Sequence, residues 1–163
     1  MRFHAEHRFH ASPQAVAALL VDPSFYVALA LPDLSPPDVL EHHIDGPAAV
    51  LVLRYEFVGS LDVVARRLLG SNQLAWIQKV HVSLPTGEGG LSFAAEAHPK
   101  ALHGTADFVF VVNDTGAVRR LNGELVVAAP LIGPSAERRI VPGLLRRLDI
   151  EARALENKLC AGG

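Results

Sequence analysis

From Arg2 to His10 apolar and polar positions alternate, with Phe3, Ala5, His7 and Phe9 on one face and Arg2, His4, Glu6, Arg8 and His10 on the other. A period of two over this length predicts a half-buried strand. Ser12-Pro13 then supplies a capping side chain followed by proline at the first helical position, and Val16, Leu19 and Leu20 give a short apolar face. Asp22-Pro23 repeats that start signal for a second short helix carrying Phe25, Tyr26 and Leu29. It must end before Pro32, because proline disfavours a helical residue ahead of it.

After the turn signal Ser35-Pro36-Pro37, the segments Val39 to Ile44 and Ala49 to Val58 read as a hairpin around Asp45-Gly46-Pro47. Leu61 to Leu69 has helical spacing and Gly70 as a stop. Alternation returns through Leu74, Trp76, Gln78, Val80 and Val82, and turn residues fill Pro85 to Gly90. Three further strands are predicted at Leu91 to Ala97, His103 to Val112 and Ala117 to Ala128, the last two joined by a tight turn at Asn113-Asp114-Thr115-Gly116.

Beyond Pro130 and Gly133-Pro134 the period changes to 3.6: Val141, Leu144, Leu148, Ala152, Leu155 and Leu159 recur at gaps of three and four. This predicts the longest helix, gripped by the sheet from Val141 to Leu159. Pro142 lacks a backbone donor and its ring crowds the carbonyl four residues back, so a first turn that is separate, kinked or non-helical is expected there.

The order of strand, two short helices, six strands and a long amphipathic helix resembles the START-like helix-grip superfamily, also called SRPBCC or polyketide cyclase/lipid-transfer-like, over essentially the whole chain. Within it the chain is most similar to the largely actinobacterial domain-of-unknown-function 2505 family. Four features carry that likeness: Tyr55 to Gly59 before a short helix, Leu68-Leu69-Gly70, the strand at Leu74-Ala75-Trp76, and Pro130-Leu131-Ile132-Gly133 before a final helix holding Glu137. The resemblance implies an α+β helix-grip fold, a curved seven-stranded antiparallel sheet wrapped around a long C-terminal helix, as one domain over residues 1–163. It also implies a cavity between sheet and helix, used across the superfamily for lipids, steroids, plant hormones or polyketide intermediates.

Composition changes this picture little. Half of the 163 residues are hydrophobic and a fifth are charged, which suits one folded domain rather than a disordered chain. The net charge of −2 gives no global attraction to nucleic acid, and the arginine pairs 66-67, 119-120, 138-139 and 146-147 read as solvated faces. The high ratio of arginine to lysine, with abundant alanine and valine, points to a GC-rich bacterial genome. Cys160 is the sole cysteine, so no internal disulfide forms. No apolar leader follows Met1 and no run of 18 apolar residues occurs, so a cytoplasmic protein without a transmembrane segment is expected. The oligomeric state is left open.

Eight histidines raise the question of a metal, but His4 and His10 face away from His7, and His42-His43 are adjacent and diverge on a strand. There is no HExxH, no paired CxxC and no GxSxG elbow, and Gly87-Glu88-Gly89-Gly90 joins strands without a lysine. No metal, cofactor or catalytic residue is therefore assigned. The inward parity mixes bulk with alanine, at Phe93, Ala95 and Ala97 and at Ala106, Phe108 and Phe110. These residues describe either a packed core or, as the resemblance implies, a cavity wall.

On the second reading the ligand-binding residues are Phe25, Tyr26, Leu29, Leu53, Tyr55, Trp76, Phe93, Phe108, Phe110, Leu144 and Leu148. The wall lies along the first half of the helix at Leu144 and Leu148, and Leu155 and Leu159 belong to packed core. His7, Tyr55, Tyr26 and Gln78 are polar positions on apolar faces, where they either satisfy one another or orient a ligand. The expected function is non-enzymatic binding or carriage of a hydrophobic small molecule, lipid-, sterol- or polyketide-like. Two others stay open: an aromatase/cyclase-type enzyme in which a histidine or tyrosine moves protons, and a protein-interaction module.

Overall fold

A computed structural model describes residues 1–70 and 73–162, leaving the side chains of residues 64, 68 and 69 outside the description. The chain runs β1 (Arg2–Phe9), α1 (Pro13–Leu20), α2 (Pro23–Ala28), β2 (Asp38–Asp45), β3 (Ala48–Glu56), α3 (Val63–Leu69), β4 (Ala75–Ser83), β5 (Gly89–Ala95), β6 (Leu102–Asn113), β7 (Gly116–Val127) and α4 (Gly133–Ala161). The strands form one antiparallel sheet in the order β1-β7-β6-β5-β4-β3-β2. From β2 to β7 every neighbour in space is a neighbour in sequence, and β1 completes the sheet by pairing with β7, Phe3 opposite Gly123 and His7 opposite Arg119.

Alternation decides which face is covered. Phe3, His7 and Phe9 of β1, Ala49, Leu51, Leu53 and Tyr55 of β3, and Gln78, Val80 and Val82 of β4 are buried, and the residues between them are more exposed. Ser12 and Asp22 cap α1 and α2 as their sequence signals require, accepting from the backbone N–H of Ala15 and Ser24. Val16, Ala17, Leu20, Phe25 and Tyr26 enter the core from these helices. Helix α4 packs against β1, β7 and α1.

The structure departs from the sequence expectations at four places. Helix α4 begins at Gly133 and runs through Pro142 without a separate first turn. Proline removes one donor there, but burial of Ala136 and Val141 before it and of Leu148 after it holds the helix against the core on both sides. Strand β5 ends at Ala95, so Ala97 lies exposed beyond it. Arg119 and Arg147 do not lie on solvated faces: Arg119 is 1% exposed and Arg147 is half-buried. Finally, β2 is exposed along its whole length and carries a bulge at Leu40, which has no partner between the pairs Val39–Leu53 and Glu41–Val52.

Candidate functional site

A cavity of about 310 Å³ opens between the concave face of the sheet and the first half of α4. Its sheet wall is Leu74, Trp76, Phe93, Ala95, Leu102 and Leu125, and its helix wall is Ile140, Gly143, Leu144, Arg146, Arg147 and Ile150. The segment Leu31-Pro32-Asp33-Leu34, with Phe57, closes the remaining side. That segment is tied down by a bridge between Leu34 and Phe57 and by the Val58 N–H donating to the Asp33 carbonyl at 2.8 Å.

A cavity survives here because bulk is missing from the wall. Ala95 and Gly143 contribute no bulk to the lining, and an added Cβ at Gly143 would meet nothing within 4 Å. Phe93 lies across the strand pair onto Gly104, its register partner on β6, where any Cβ would fall 2.4 Å from the ring's Cζ. Glycine at 104 thus leaves room for the Phe93 ring against the β6 backbone.

Of the sequence candidates, Trp76, Phe93 and Leu144 come together in this wall. Phe25, Tyr26, Leu53, Tyr55, Phe108 and Leu148 are buried in the core around it, with Leu29 and Phe110 packed against that core. Tyr55 and Trp76 are register partners on β3 and β4 and stack at 5.6 Å with 22° between their planes, which joins the core layer to the cavity wall.

Apart from the cavity lining runs a polar network in which sequence reasoning finds His7 and misses Arg119 and Glu151. Arg119 of β7 donates from Nη1 to Glu151 Oε1 at 3.2 Å and from Nη2 to His7 Nδ1 at 3.1 Å, while His7 Nε2 meets Asp149 Oδ1 at 3.1 Å. Arginine only donates, so Nδ1 must accept and the imidazole proton sits on Nε2, directed at Asp149. Burial first, and the Arg119 charge second, hold the His7 pKa below its ordinary value. The Arg119 guanidinium also stands 5.7 Å from the Phe9 ring centroid and 5.9 Å from that of Phe108.

Parity is the signal that could have found this arginine. On β7 the inward positions are Ala117, Arg119, Leu121, Gly123 and Leu125, and Glu151 falls three residues after Leu148 on the apolar stripe of α4.

Arg147, four residues before Glu151, lies over the Tyr55 ring at 4.5 Å from its centroid and donates from Nη2 to Gln78 Oε1 at 2.6 Å. The hydroxyls of Tyr26 and Tyr55 are buried without a hydrogen-bond partner. Burial pushes both phenols above their ordinary pKa, so each remains a protonated donor at neutral pH. Among the described residues no three His, Cys, Asp or Glu side chains converge as a metal site would require, and no helix is long and apolar enough to cross a membrane.

Residues 4–159 match the sequence profile of the family described as "Protein of unknown function (DUF2505)". The chain belongs to this family. The DUF2505 chain resembles the crystal structure of TTHA0849 from Thermus thermophilus at a TM-score of 0.67 and 14% identity, over 100% of this chain and 99% of that one. Ara h 8.0201 gives 0.66 at 12% identity, over 99% and 98% of the two chains. The Zhui aromatase/cyclase from Streptomyces sp. R1128 gives 0.60 at 14% identity, over 97% and 93%. At these identities the likeness establishes the helix-grip fold of this DUF2505 protein. No curated protein matches it significantly in sequence.

Proposed function

We propose that this DUF2505 protein binds and carries a hydrophobic small molecule of the lipid, sterol or polyketide-like class, without transforming it. The observation that carries this reading is the cavity of about 310 Å³ walled by Trp76, Phe93, Leu102, Leu125, Leu144 and Ile150. Its volume lies at the lower end of small-molecule sites, and such sites are apolar with a few placed polar groups. Carriage is favoured over proton chemistry because His7, Arg119, Asp149 and Glu151 are engaged with one another rather than lining the cavity. A general acid or base must stand within hydrogen-bond reach of the proton it moves, and none of these four side chains is in the cavity lining. Two of the helix-grip proteins it resembles, Zhui and BexL, are described as aromatase/cyclases, which keeps a polyketide-like ligand within the proposed class.

The test uses N-phenyl-1-naphthylamine, a neutral apolar probe, with the emission of Trp76, the single tryptophan of the chain, as a second signal. One saturable site per chain, with energy transfer from Trp76, supports the reading. Native mass spectrometry of protein purified from its own host would show the retained ligand directly. Linear, non-saturating probe uptake together with a bare protein mass would overturn carriage in this cavity.

A further inference from the structure

The cavity lining is mainly apolar, and Asp33, Arg146 and Arg147 are its charged members. Two interior arginines face the same region of the molecule. Arg119 is neutralised by Glu151 and held by His7. Arg147 is in the cavity wall, half-buried, and it donates to the uncharged oxygen of Gln78, with no carboxylate paired to it among the described residues. The Glu151 carboxylate, one helical turn on, already accepts from Arg119, and Asp149 is taken by His7. Among the described residues lining the cavity only Asp33 is acidic, against Arg146 and Arg147.

We infer that Arg147 receives an anionic oxygen group of the ligand, so that the cargo is an amphipathic acid whose apolar body fills the cavity and whose carboxylate or comparable anion ends at the guanidinium. This rests on the cavity being a binding site, as proposed above. A guanidinium presents five N–H donors in a fixed plane, and the Gln78 oxygen takes one of them. Stacking over Tyr55 at 4.5 Å and standing 5.9 Å from the Trp76 ring centroid fix that plane before a ligand arrives. A half-buried cation without a counter-ion is left poorly solvated, and an incoming anion relieves that cost with charge-assisted hydrogen bonds.

The experiment compares dodecanoate with dodecan-1-ol, which share an apolar chain and differ in charge, by displacement of N-phenyl-1-naphthylamine from the full chain near neutral pH. Dodecanoate is expected to bind about tenfold more tightly, the scale of one hydrogen bond to a charged group in a partly dry site. Arg147→Met should erase the preference, and Arg147→Lys, which keeps the charge, should retain part of it; thermal melts confirm that both variants are folded. If the wild type binds the two ligands equally, or if folded Arg147→Met still prefers the acid, the anion site is overturned while the apolar cavity stands. If the probe binds and neither twelve-carbon ligand displaces it, the inference fails in the same way. If neither probe nor ligand binds, the cavity reading falls and takes this inference with it.

Discussion

Arg119 and Glu151 join the last strand to the last helix through an ion pair with 1% and 6% of the two side chains exposed. Together with His7 and Asp149 the pair fixes how α4 lies on β1 and β7, while the cavity occupies the space under the helix's first half. The same helix therefore carries both a buried ion pair and part of the cavity wall.

Removing one partner of the pair strands the other charge in the core. Arg119→Met is expected to cost about 3–5 kcal/mol in urea unfolding. The double variant Arg119→Met/Glu151→Leu should recover most of that loss, since a matched apolar pair needs no counter-charge. A single variant within a few tenths of a kcal/mol of wild type would show that the pair contributes little to holding the helix.

Stability should fall on mild acidification because of His7. Its folded pKa is below the ordinary value of 6.5, so the unfolded chain takes up this proton first. The contribution is complete above pH 6.5 and is lost as the pH falls from there through the lowered folded value, where a second ring proton would face the Arg119 guanidinium. His7→Gln should flatten the stability profile as the pH falls below 6.5. An unchanged slope in that variant would place the pH sensitivity elsewhere.

The two halves of α4 should answer truncation differently. Leu155 is fully buried, and Leu155→Ala is expected to cost about 2–5 kcal/mol. Leu144 borders the cavity and already lacks neighbours on one side, so Leu144→Ala should cost less. Leu148, 3% exposed and off the cavity wall, should behave like Leu155. Leu144→Trp should fill empty space, weakening uptake of the neutral probe with little change in melting temperature; a collapse of the fold would mean the space is not there.

Gly143→Ala should stabilise the chain by up to about 1 kcal/mol, because alanine favours a helix interior and its Cβ meets nothing within 4 Å. A lower melting temperature would mean that the cavity-lining turn needs the freedom of glycine.

Most of the framework can be read from periodicity, since strict alternation in β1, β3, β4 and β7 and the 3.6 period of α4 both follow from burying one face. The placement of the cavity cannot. Its walls depend on residues far apart in the chain, Leu31 to Leu34, Phe57 and Ile140, whose meeting is a matter of tertiary packing rather than local pattern. Trp76, Phe93 and Leu144 are within reach of a sequence reading because each is a bulky inward residue beside small ones. Arg119 and Arg147 escape it because exposed arginine is the ordinary case, although each occupies an inward position on its own element. Pro142 misleads in the opposite sense, since tertiary contacts on both sides keep the helix continuous where local chemistry alone would break it.

The bulge at Leu40 has a consequence for how copies of the chain meet one another. Strand β2 is the outer border of an open sheet, eight residues long, with Val39, Leu40 and Ile44 exposed. A straight, unguarded border of that kind recruits further strands from other molecules and seeds aggregation. The extra residue interrupts the even spacing of backbone donors and acceptors, and Asp38, Glu41 and Asp45 bring like charge toward any second copy docking there. The irregularity at Leu40 thus guards the β2 border of a sheet that never closes into a barrel against pairing with a further strand.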